Sequence, residues 1–128
     1  MEAVPGGTGE IIVRVTCRVT AEMYDRFLAA ARAAYGRQGK SRWVREALAM
    51  LKDGDPVLSS VGLGEVSFQP QAHLQVSLDA VSAELLETLV ARVRWQDPLA
   101  QGVASQILRA AIRWRLARSP GPIPPAKT

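Results

Sequence analysis

The chain has 128 residues, enough for one ordinary domain or two very small ones. Hydrophobic residues make up 48% of it, which argues for a packed core and against wholesale disorder; aromatics are only 5%, so aliphatic side chains and alanine must fill that core. Sixteen Lys and Arg against twelve Asp and Glu leave a net charge of +4, a balance that favours an anionic partner such as nucleic acid.

Cys17 is the single cysteine, so no internal disulfide and no cysteine zinc site is expected. On its strand it reads as a small core residue rather than a reactive thiol. No apolar run approaches the roughly 20 residues of a membrane span. The opening "MEAVPGGTGE" lacks the basic and apolar regions of a secretory signal. The expectation is a soluble, cytoplasmic, bacterial protein.

Residues 1–9 are Gly-rich and read as a loose tail. "IIVRVTCRVT" then alternates with a period of two. Ile11, Val13, Val15, Cys17 and Val19 share one face; Ile12, Arg14, Thr16, Arg18 and Thr20 share the other. That is a half-buried strand. Thr20 is placed to cap "AEMYDRFLAAARAAYG", with Met23, Phe27, Ala30, Ala31 and Ala34 at helical spacing and Gly36 at the stop. "RQGK" turns the chain. Ser41 is the next cap candidate, before a helix with the stripe Trp43, Val44, Ala47, Leu48 and Leu51.

Residues 55–71 carry Gly, Ser and Pro without a sustained period. They form a linker or a packed irregular crossing, in which Val57, Leu58, Leu63, Val66 and Phe68 could bury surface. "HLQVSLDAV" alternates again, with Leu74, Val76 and Leu78 inward and Gln75, Ser77 and Asp79 outward. Ser82 can cap a helix striped by Leu85, Leu86, Leu89, Val90 and Val93. "QDPLAQG" turns the chain, and Ile107, Leu108, Ala111 and Ile112 stripe the last helix. The end, "SPGPIPPAKT", is a Pro-rich tail over 119–128 that cannot continue a helix.

The order strand-helix-helix therefore occurs twice, over 10–54 and 72–118. "AEMYDRFL" aligns with "AELLETLV", and "SRWVREAL" with "SQILRAAI", Ser and Arg in register. On this alignment the second unit has about one extra residue after its strand and two in its inter-helix turn. One such unit is too small to be stable alone, and its strand needs a partner. Pairing the two strands antiparallel, with four helices over their apolar face, satisfies both. The expected fold is mainly α, with one two-stranded antiparallel ribbon and the order β-α-α-linker-β-α-α.

"VRVTCRVTAEMYDRF" and "GKSRWVREAL" resemble the strand-cap-helix and second-helix patterns of the ribbon-helix-helix superfamily of MetJ and Arc type. The duplication resembles the tandem, single-chain pseudo-dimers among accessory proteins of bacterial DNA transfer, TraY-like and VirC-like overdrive-binding proteins. The resemblance implies a sequence-specific double-stranded DNA-binding protein whose ribbon enters the major groove. It implies base contacts by Arg14, Thr16, Arg18, Gln75 and Ser77. Arginine suits guanine O6 and N7, glutamine suits adenine, and threonine suits a thymine methyl. The alternative for Arg14 and Arg18 is a solvated strand face that resists aggregation; within the family pattern base contact is preferred. Asp79 could accept from cytosine, pair with an arginine, or cap its helix; the last two are preferred.

The resemblance further implies phosphate contacts at the start of each second helix, by Lys40, Ser41, Arg42 and Trp43, and by Ser105 and Gln106, with Arg37 adding charge. Ser41 as a plain cap fits equally well. Arg92, Arg94, Arg109, Arg113, Arg115 and Arg118 read mostly as solvated helix faces. Trp43 and Trp114 fall on apolar stripes; Trp95 does not, and suits a partner contact. His73 is alone and unsuited to a metal site. No catalytic set, HExxH or phosphate loop is recognisable, so no enzyme, cofactor or metal is expected. Relaxase or other DNA-transfer proteins are candidate partners. A transcriptional repressor or antitoxin or partition regulator shares the same chemistry. A protein-interaction module without DNA binding is the reading from another class.

Overall fold

The computed structural model describes residues 12–62, 65, 69 and 71–118. Leu63, Val66 and Phe68 and both tails lie outside the described residues. The described chain is mainly helical, with one two-stranded antiparallel sheet. Strand β1 (Val13–Val19) leads to α1 (Ala21–Tyr35), a short 3-10 turn, and α2 (Lys40–Gly54). Strand β2 (Ala72–Leu78) leads to α3 (Ala80–Gln96) and α4 (Val103–Arg118).

The strands pair with each other. Val13 lies opposite Leu78, Thr16 opposite Gln75, and Val19 opposite Ala72. Opposed residues share a face, so Val15, Cys17 and Val19 join Leu74, Val76 and Leu78 on one side. Cys17, Val19, Leu74, Val76 and Leu78 are buried there beneath the helices. Val13, at the open end, is more than a third exposed.

The helices close over that face with aliphatic stripes. Trp43, Val44, Ala47, Leu48 and Leu51 on α2 are all buried, as are Ile107, Leu108, Ala111 and Ile112 on α4. Phe27 and Ala31 of α1 and Leu86 and Leu89 of α3 complete the core. Phe27 meets the Trp43 ring edge-on, with centroids 5.3 Å apart. Ala34, expected on the inner stripe, is exposed, and Tyr35 packs against the core in the last turn of α1 instead.

Helix starts differ from the sequence expectation in an instructive way. Thr20 caps α1, its hydroxyl accepting from the Met23 N–H at 3.1 Å. Asp79 caps α3, its carboxylate accepting from the Ser82 N–H at 2.9 Å. The Ser82 N–H and then the Ser82 hydroxyl hold the Asp79 carboxyl below its usual range. So Ser82 is the capped residue rather than the cap, and α3 begins a turn earlier than "AELLETLV" suggests. Each strand is followed directly by its cap, with no extra residue after β2. The added length of the second half lies in α3, 17 residues against 15 for α1, and in the turn before α4.

The crossing from α2 to β2 opens as an ordered turn. Asp55 is buried and gathers four donors: the N–H and hydroxyl of Ser59 at 3.0 and 2.9 Å, and those of Ser60 at 2.7 and 2.6 Å. Leu58 takes a positive φ of 58° to turn its side chain into the core, whereas Val57 is exposed. Among the described residues no helix is long and apolar enough to cross a membrane.

Candidate nucleic-acid interface

The outer face of the ribbon is polar and uncovered. Its register sets Arg14 against Ser77, Thr16 against Gln75 and Arg18 against His73. All are exposed except Ser77, which is half-buried. The five residues expected to contact bases thus lie on one surface two strands wide. His73 is the sixth, and it was not expected there. Its even spacing from Gln75 and Ser77 was the available signal. Asp79 leaves this surface to cap α3.

The outer edges of both strands are held by the second helices. On β2, the Ser77 N–H donates to the Ser41 hydroxyl at 2.8 Å, and the Ser77 carbonyl accepts from Arg45 at 3.1 Å. On β1, the Arg18 carbonyl accepts from Arg109 at 2.9 Å. Arg45 and Arg109 are the arginines that stand in register in "SRWVREAL" and "SQILRAAI". Each reaches one strand's open backbone, which would otherwise lie unpaired.

Arg109 is therefore no solvated surface residue. It is buried and forms a two-pronged pair with Glu65 at 2.8 and 2.9 Å. Arg113 adds a third bond to Glu65 at 2.9 Å. Burial alone would push the Glu65 carboxyl up. The hydrogen bonds and charges of Arg109 and Arg113 outweigh it and hold the carboxyl below its usual range. Arg115 also turns inward, to the Trp43 carbonyl at 3.0 Å, to Glu46 at 2.9 Å, and over the Trp43 ring. Arg92, Arg94 and Arg118 stay exposed.

Glu65→Gln will lower unfolding free energy by about 2 kcal/mol at neutral pH, since Arg109 and Arg113 lose a charged acceptor. Because folding lowers the Glu65 pKa, its contribution is complete above the ordinary glutamate value. It fades as pH falls through the lower folded value. Urea titrations at neutral and acid pH will therefore show the gap between the two proteins closing in acid. A gap that holds constant with pH would mean that the charge of Glu65 is not what stabilises.

The two second helices start differently from the first helices. Gly39 and Gly102 precede them and offer no side-chain cap. A Cβ on Gly39 would lie 2.2 Å from the Tyr35 Cβ, so only glycine fits that turn. The first intrahelical bonds are Trp43 N–H to the Gly39 carbonyl at 2.9 Å and Gln106 N–H to the Gly102 carbonyl at 3.1 Å. The preceding N–H groups, those of Lys40, Ser41 and Arg42 and of Val103, Ala104 and Ser105, have no intrahelical acceptor. Both starts lie beside the ribbon, because Ser41 binds Ser77 and the Ser105 carbonyl accepts from the Cys17 thiol at 3.6 Å.

One expected phosphate contact is corrected by this geometry, and a second loses its backbone donor. Trp43 is 1% exposed and its N–H is already used, so it is a core residue. The Gln106 N–H is likewise used, and its side chain lines a crevice with Leu58, Gly62 and Ala100. Ser41 does not cap α2; it serves the edge of β2 and keeps a hydroxyl proton to donate. Arg42 pairs with Glu46 at 3.2 Å and lies 4.0 Å over the Tyr35 ring, yet remains exposed. Cys17 is fully buried, and burial pushes its thiol up to about 11 despite the nearby Arg109 charge. Trp95 is 87% exposed.

Comparison with known proteins found no family model, no curated protein and no solved structure that matches this chain.

Proposed function

We propose that the chain is a sequence-specific double-stranded DNA-binding protein of ribbon-helix-helix type, with two strand-helix-helix units in tandem, that reads the major groove with its ribbon. One observation carries the reading. Among the described residues, the outer ribbon face presents two arginines, a histidine and three neutral hydrogen-bonding side chains, with no carboxylate on it and no helix over it. A two-stranded ribbon fits the major groove, and these side chains match base edges there. The uncapped starts of α2 and α4, with Lys40, Ser41 and Arg42 on one and Ser105 on the other, suit the flanking phosphates.

The face is not symmetric. Read from N to C, β1 offers Arg, Thr and Arg, while β2 offers His, Gln and Ser at the matching places. A recognition sequence with two unlike halves follows, which a homodimer of one such unit could not read. The biological setting that best fits a tandem chain is an accessory role in plasmid or mobile-element DNA transfer. Repression from an operator would use the same surface.

Duplex binding will be strongly salt-dependent, because lysines and arginines release counterions from phosphate. A gel-shift or anisotropy titration should lose on the order of a hundredfold in affinity over a fourfold rise in salt. Absence of duplex binding at low salt would favour the interaction-module reading instead.

A further inference from the structure

We propose that His73 is a third cationic contact of the ribbon, charged when DNA is bound, so that duplex binding takes up a proton. This rests on the DNA-binding reading above. His73 is the only histidine in the chain. Imidazole is the side chain that changes charge between about pH 5 and 8. The Cys17 thiol, buried and raised to about 11, is out of that window.

The position suits the task. His73 is exposed on the outer face, directly opposite Arg18. Beside it on β2 is Gln75, and Thr16 lies diagonally across; neither is charged. Among the described residues, the carboxylates near the ribbon are engaged elsewhere. Asp79 caps α3, Glu65 is bound by Arg109 and Arg113, and Glu22 in the first turn of α1 pairs with Arg26 at 4.0 Å. Among the helix cations, Arg45 and Arg109 point to strand carbonyls rather than across the face. Arg18 is thus the charged group that faces His73.

Beside DNA, phosphates are dense along both walls of the groove and favour a positive charge at this point. A protonated imidazole also has two N–H donors where the neutral ring has one. Its acceptor is a guanine N7 or O6, or a phosphate oxygen. Either way, bound DNA favours the charged ring, and by linkage a lower pH favours bound DNA.

The test is the dissociation constant of the full chain at fixed ionic strength from about pH 8 to pH 6, on random-sequence duplex and on a sequence selected from it. The intact protein should bind about three- to tenfold more tightly at the lower pH. His73→Gln should lose that dependence. His73→Arg should bind tightly and evenly at both, which separates charge from folding. A dependence on both duplexes identifies phosphate as the acceptor; one confined to the selected duplex identifies a base edge. Duplex binding that ignores pH, or a dependence retained by His73→Gln, overturns the proposal while leaving DNA binding intact. No duplex binding at any pH overturns the DNA-binding reading, and this inference with it.

Discussion

On the proposed ribbon reading, replacing Arg14 and Arg18 together by alanine will weaken duplex binding by at least about thirtyfold, since an arginine–guanine pair contributes about 1–3 kcal/mol. Helix content will be unchanged. Both side chains are exposed on the uncovered face, so their loss opens no cavity. The contact that holds β1 at this point uses the Arg18 carbonyl, which alanine retains. The loss should also flatten the salt dependence, as two cations leave the interface. Unaltered affinity in the double variant would show that DNA, if bound, is bound elsewhere.

The second large effect is on stability. Trp43→Ala will lower the unfolding free energy by about 3–5 kcal/mol, a large part of the 5–15 kcal/mol of a typical domain. Trp43 is the largest fully buried side chain, packed edge-on to Phe27 and beneath Arg115. Its removal leaves a cavity where α1, α2 and α4 meet, and takes the ring from under a half-buried guanidinium. Urea denaturation would show the midpoint fall. Trp95→Ala serves as the contrast: that ring is 87% exposed, so the change should stay within about 0.5 kcal/mol. Equal losses from both would contradict the assignment of the core.

Much of the architecture was legible because it rests on periodicity. The period-two runs mark β1 and β2, and two strands with apolar inner faces and no other sheet partner had to meet each other. The stripe on α2 was read residue for residue; on α4 the four expected residues are buried, but Val103, Arg109 and Ala110 are buried with them, so that face is broader than its stripe. The stripes on α1 and α3 were read less well. Ala34 is exposed because an alanine fits either side of a helix, and periodicity alone does not choose. The start of α3 was misplaced by one turn for a related reason. Asp79 and Ser82 are both good caps three residues apart, and a shift of three leaves nearly the same face inward.

The site was legible as a surface but not in its supports. Parity alone places Arg14, Thr16, Arg18, Gln75 and Ser77 together, and it would have placed His73 as well. The inward turn of Arg109 depends on Glu65, which lies in the irregular crossing, where no period leads from one to the other. A signal did exist, in the arginine shared by "SRWVREAL" and "SQILRAAI". Arg45 and Arg109, aligned in those two stretches, each bond one strand edge. Trp43 was assigned to both core and phosphate because it belongs to the first turn of α2. Its burial decides for the core.

These supports explain how a small ribbon can present a fixed pattern. A two-stranded sheet alone is barely stable in water. Here its inner face is packed under four helices and each outer edge is bonded to one of them. The side chains of the outer face therefore stand on a backbone that is already ordered, which would lower the ordering cost of the proposed binding.

The most direct test of the central claim is chemical interference on a selected duplex. Methylation of guanine N7 marks the major groove, and a minor-groove ligand blocks the other side. The ribbon reading predicts that N7 methylation at guanines in the site prevents binding, that a minor-groove ligand does not compete, and that Arg14→Ala and Arg18→Ala each erase interference at different guanines. Binding that tolerates N7 methylation throughout the site, or that the minor-groove ligand displaces, would contradict it.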